Sequence, residues 1–172
     1  MGKNLSTTVA VYTDQRLAEQ DWDAIEKAAK SEGGIDLADA AMVRRNLDGS
    51  ITQLRQQSHH GWGKGAIAGA IVGIIFPPSL IGSAIVGAAG GGIVAKLTRK
   101  ISRSDVKDLG EVMDEGDVDL VVITDTDSVK TLVDLLEGAT KTLTKDSATA
   151  DEVREALNEA GMSTPPAAGE PA

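Results

Sequence analysis

Residues 65–95 read GAIAGAIVGIIFPPSLIGSAIVGAAGGGIVA, 31 residues between Lys64 and Lys96 without a charge. Two arrays of small residues run through this neighbourhood at a four-residue period. Gly61, Gly65, Gly69 and Gly73 form one; Ser79, Ser83, Gly87, Gly91 and Ala95 form the other. Four residues advance about 400° around an α-helix, so each array stays near one face for several turns. The opposite faces carry Ile67, Ile71, Ile74 and Ile75 in the first half and Ile81, Ile85 and Ile93 in the second. Small residues on one face let two helix backbones approach closely, which makes both arrays the expected helix-packing and oligomerisation residues. In water each helical glycine costs roughly 1 kcal/mol, so packing or an apolar solvent must compensate.

Pro77-Pro78 divides the run, since proline lacks a donor and biases its predecessor away from the helix. The arm 65–76 has 12 residues, and the arm 79–97 has 19. As helices these are about 18 Å and about 28 Å long, against a hydrocarbon core of ~30 Å. Either one span or a hairpin turning at Phe76, Pro77 and Pro78 follows. A span would part the flanking soluble segments, whereas a hairpin returns the chain to its starting side. The flanks favour the hairpin: His59, His60 and Lys64 precede it, and Lys96, Arg99, Lys100 and Arg103 follow. Basic roots suit the cytoplasmic side and anionic headgroups. Trp62, Lys64, Lys96, Arg99 and Lys100 are therefore the expected membrane-interface residues. The same arms would also serve buried among copies of themselves in a soluble oligomer, and a solvated linker is the third reading.

Working outward, Thr7–Thr13 alternates as a strand, and Leu17–Lys30 changes to helical spacing with Ala18, Trp22, Ile25 and Ala29 on one face. Gly33-Gly34 ends that helix. Leu37–Asn46 reads as a second strand, Asp48-Gly49 as a two-residue turn with positive φ, and 51–57 as the returning strand. Beyond the uncharged run, Ser102 to Asp105 has the form of a capping box and opens a helix with Val106, Leu109, Val112 and Met113. Val118–Thr124 (VDLVVIT) is strongly strand-like. Asp125 or Asp127 caps a helix striped by Val129, Leu132, Val133 and Leu136, and Thr149 with Glu152 forms a second capping box. With the run set aside, the order is β-α-β-β-α-β-α. It predicts an α+β, ferredoxin-like split βαβ domain over 7–60 and 101–140. The apolar hairpin is inserted at 61–98, with an extra C-terminal helix at 141–160 and a disordered Pro/Ala/Gly-rich tail at 161–172. The alternative is two unrelated halves flanking a membrane anchor.

Composition removes several chemistries. A net charge of −9 argues against nucleic acid, which needs clustered Lys and Arg. With no cysteine there is no disulfide, thiol nucleophile or Cys-ligated metal, and two histidines with four aromatics leave little for acid–base or stacking work. No secretory signal is expected, because the first residues lack an apolar core. Met1 to Ser6 fits the loose myristoylation pattern. His59-His60 as a metal pair lacks a third ligand. Asp114, Glu115, Asp117 and Asp119, then Asp125-Thr126-Asp127, lack the register of a calcium loop and read as solvated turn carboxylates and caps. The glycines lack the phosphate-loop form. No metal site, cofactor or catalytic residue is expected.

The run HHGWGKGAIAGAIVGIIFPPSLIGSAIVGAAGGGIVAKL, followed by an acidic helix and VDLVVIT, resembles the bacterial family catalogued as domain of unknown function twelve-sixty-nine. The likeness spans about Thr7 to Gly138, with Pro77-Pro78 where that family has a small-residue turn. The resemblance implies bacterial origin, membrane association and self-association, and carries no reaction.

The expectation is thus a non-enzymatic scaffold that partners itself and the lipid bilayer, at the bacterial inner membrane with its soluble domain facing the cytoplasm. A cytoplasmic homo-oligomer with the hairpins in its own core is the alternative. A small pore or transporter is the third reading.

Overall fold

The computed structural model describes residues 3–58, 72, 102–113, 117–149, 151, 152 and 155. Along the chain these form β1 (Asn4–Tyr12), α1 (Gln15–Lys30), β2 (Leu37–Arg45), β3 (Ile51–Ser58), α2 (Arg103–Glu111) and β4 (Val118–Asp125). A 3-10 turn (Thr126–Ser128), α3 (Val129–Leu135) and β5 (Lys141–Thr149) follow. The strands make one antiparallel sheet in the order β3-β2-β4-β1-β5. Strand β4 occupies the centre because its run 120–123 (LVVI) is apolar on both faces, and all eight of its residues are buried. Val121 lies opposite Val9 of β1 on one side and Ala41 of β2 on the other.

One face of the sheet packs against α1 and α3. Helix α1 is capped by Asp14, whose carboxylate accepts from the Arg16 N–H at 2.9 Å. Its stripe brings Trp22 and Ile25 onto Tyr12, Met42 and Leu120, with Leu132 of α3 in the same cluster. Each such fully buried side chain contributes roughly 1.5–3 kcal/mol. Arg55 of β3 reaches back over the Trp22 ring at 5.2 Å and meets Asp23 at 3.2 Å, closing the rim. The helix ends at Ser31, and Gly33 takes a φ of 72° that favours glycine.

Side chains alternate along a strand, so the other face is built by Val9, Val11, Ala41, Val43, Val121 and Ile123. None is more than 3% exposed. Helix α2 lies on this side: Lys145 of β5 bridges Asp105 at 3.0 Å and Asp108 at 2.9 Å, and Arg45 Nη1 donates to the Met113 carbonyl at 2.8 Å. Leu109 and Met113 are buried there, and Val72, within the glycine-rich run, has no exposed surface.

Several expectations are corrected. The ferredoxin-like arrangement would place the third strand beside the first. Instead β3 sits at the far edge and β1 lies between β4 and β5. Polarity explains the exchange: Gln53, Arg55, Gln56 and Gln57 suit an edge, whereas VDLVVITD suits the centre. The C-terminal helix expected over 141–160 gives way at Lys141–Thr149 to β5, paired with β1 from Lys141 to Thr149. The β2–β3 connection is the five residues 46–50 rather than a two-residue turn. Asn46 N–H donates to the Ser50 carbonyl at 2.8 Å, and Gly49 has a φ of 82°.

The membrane-anchored, glycine-zipper hairpin fold is corrected as well. The described structure is mostly sheet with three short helices and no helical hairpin. Among the described residues no helix is long and apolar enough to cross a membrane. The longest, α1, has 16 residues and carries charges along its outer face. The expected hairpin at 61–98 lies, apart from Val72, outside the described residues.

Candidate functional site

At the end of β1 stands Tyr12, and α1 places Asp21 over it. The Tyr12 hydroxyl donates to Asp21 Oδ2 at 2.9 Å, and the Gly138 N–H donates to the same oxygen at 2.9 Å. One carboxylate therefore ties β1, α1 and the α3–β5 turn together. Tyr12 is fully buried and Asp21 is 7% exposed. Burial first, then the hydrogen bond to Asp21, pushes the Tyr12 phenol well above the usual phenol range. Gly138 is required by close approach: a Cβ there would lie 2.8 Å from the Leu17 Cβ.

Beside this tie a solvent-open cavity of about 470 Å³ is lined by Leu17, Gln20, Asp21, Ala24, Leu135, Glu137 and Gly138. Asp21, whose Oδ2 accepts both of these hydrogen bonds, is part of that cavity's wall. Asp21 is not among the residues expected from the sequence. Its signal was an acidic residue at a core position of the α1 stripe, three residues after Ala18 and four before Ile25.

The residues singled out from the sequence fall elsewhere. Gly61, Gly65, Gly69, Gly73, Ser79, Ser83, Gly87, Gly91 and Ala95 lie outside the described residues. So do the turn Phe76, Pro77 and Pro78, the interface set Trp62, Lys64, Lys96, Arg99 and Lys100, and His59, His60, Asp114 and Glu115. Of the remaining acidic residues, Asp125 does cap, its Oδ1 accepting from the Ser128 N–H at 3.0 Å. Asp119 is not a solvated turn carboxylate. It is fully buried in β4, opposite Val43. Among the described residues no group of three or more His, Cys, Asp or Glu could hold a metal.

A family model described as "Protein of unknown function (DUF1269)" matches residues 63–161. The chain belongs to this family. The DUF1269 match runs from the glycine-rich stretch through α2, β4, α3 and β5, and begins after β3 rather than near Thr7. It carries no statement about a membrane or a glycine zipper. Comparison with curated proteins and with solved structures finds no match.

Proposed function

We propose that this DUF1269 chain is a non-catalytic structural protein that assembles with copies of itself and buries its uncharged run in protein. The observation that supports this reading most is the burial of the second sheet face. Val9, Val11, Ala41, Val43, Val121 and Ile123 are at most 3% exposed, yet the only described helix on that side is the nine-residue α2. A sheet that is apolar on both faces has to be covered by protein on both. Val72 has no exposed surface, which accords with a run that meets protein. A net charge of −9 turns the assembly away from nucleic acid. The test is to co-express tagged and untagged full-length chains and capture the tag in detergent-free buffer. Untagged chain retained in stoichiometric amount is the expected result; recovery of the tagged chain alone contradicts the proposal.

A further inference from the structure

Resting on the self-assembly proposed above, we infer that its contact is the outer edge of β3, paired antiparallel with β3 of a second copy across a two-fold axis. The strand order β3-β2-β4-β1-β5 leaves two edges. An open edge presents a row of N–H and C=O groups, and proteins guard such edges with lysine, proline or other charges. Strand β5 is guarded by Lys141 and Lys145. Strand β3 carries no lysine, proline or carboxylate, in a chain of net charge −9. Its one charge is met within its own copy, where Arg55 reaches Asp23 at 3.2 Å and Glu26 at 3.8 Å. Two copies therefore join at this edge without bringing carboxylates together.

The backbone is set for it. Asn46 N–H donates to the Ser50 carbonyl at 2.8 Å, and an antiparallel ladder alternates from such a bonded pair. Ile51, opposite Arg45, and Gln53, opposite Val43, accordingly turn their N–H and C=O groups away from β2. Among the described residues no strand meets that edge. Gln53 Nε2 donates to Gln56 Oε1 at 2.6 Å on the same strand. Each of these amides both donates and accepts, so the pair is complementary to its own copy. Leu47, 84% exposed, stands on the connection leading into β3, and antiparallel pairing carries it toward the far end of the second copy's strand. A β3–β3 contact is isologous and closes after two copies, whereas β3 on β5 would extend without closing.

The experiment measures the native mass of the full chain by light scattering in detergent-free buffer, together with amide hydrogen exchange at Ile51 and Gln53. The wild-type particle should exceed 17.8 kDa, and both amides should exchange more slowly as concentration rises. Gln53→Pro removes an outward N–H that β2 does not use, and Gln56→Lys gives β3 the guard that β5 has. Each should lose mass relative to wild type with its circular dichroism unchanged, while Thr142→Lys on β5 should keep the wild-type mass. If Gln53→Pro fails to fold, Gln56→Lys and the wild-type amides decide. Wild-type mass in Gln56→Lys, exchange independent of concentration, or loss of mass in Thr142→Lys would overturn the β3 edge and leave self-assembly standing. A wild-type particle of 17.8 kDa at every concentration would overturn both.

Discussion

The Tyr12 hydroxyl donates to Asp21 Oδ2 at 2.9 Å in a core where neither residue exceeds 7% exposure. Since Gly138 donates to the same oxygen, one side chain holds a strand, a helix and a turn in register. Replacing Tyr12 by Phe removes one of two donors and should cost about 1–2 kcal/mol in urea unfolding. Asp21→Ala leaves both donors unsatisfied and should cost about 3 kcal/mol or more. The Tyr12→Phe/Asp21→Ala double variant should fall short of the sum, because the two residues share one bond.

Tyr12 is the single tyrosine of the chain, so its ionisation has a clean optical readout. Its folded pKa is raised by burial and by Asp21, so its contribution is fully present below the unfolded value of 10.0 and is lost as pH rises toward the folded value. Stability should therefore decline above about pH 10 by up to about 1.4 kcal/mol per pH unit from this group. Phenolate absorbance should appear together with loss of circular dichroism. Phenolate appearing at pH 10 in a still-folded chain would contradict the buried tie.

Gly138 and Leu17 make a close-approach pair. Gly138→Ala places a methyl 2.8 Å from the Leu17 Cβ and should cost about 1–3 kcal/mol by overpacking. The α1 terminus offers a second glycine contrast. At Gly33, φ is +72° but nothing lies within 4 Å of an added Cβ, so Gly33→Ala should cost only about 1 kcal/mol. At Gly34 the added Cβ would meet the Ala28 carbonyl oxygen at 1.9 Å, so Gly34→Ala should cost clearly more. Urea midpoints order the three variants directly.

Much of this fold was legible, and the omissions have physical causes. Strand β4 announced itself because burial on both faces favours consecutive apolar residues, as in its run 120–123. The capping boxes are local and were readable. Asp105 N–H donates to Ser102 Oγ at 3.0 Å, while Thr149 and Glu152 exchange bonds of 2.9 and 3.3 Å. Strand β5 was missed because KTLTKDSAT offers Leu143 as its one large apolar residue. It holds by pairing with β1 and through contacts such as Thr8 to Thr144 at 2.8 Å, which no local pattern reveals. Strand order is likewise a long-range property, and so was misassigned. Asp21 became intelligible only once Tyr12 and Gly138 stood beside it.

The α2–β5 clamp should show a two-sided pH window. Lys145 holds Asp105 below the ordinary carboxylate value of 3.8, and Asp108, then Asp105, holds Lys145 above the ordinary amine value of 10.5. The clamp's contribution is thus complete between those values. It is lost as pH falls through the depressed Asp105 pKa, or rises through the elevated Lys145 pKa. The Tm difference between the wild-type chain and Lys145→Met should be present at neutral pH and vanish at both extremes. A difference that persists at low pH would show that Lys145 acts through packing alone.

Assembly without lipid is tested most directly by the native mass of the purified full-length chain. Light scattering in detergent-free buffer should give a soluble particle of at least twice 17.8 kDa, unchanged when detergent is added. A 17.8 kDa particle at all concentrations, or a chain that leaves the pellet only in detergent, would contradict it.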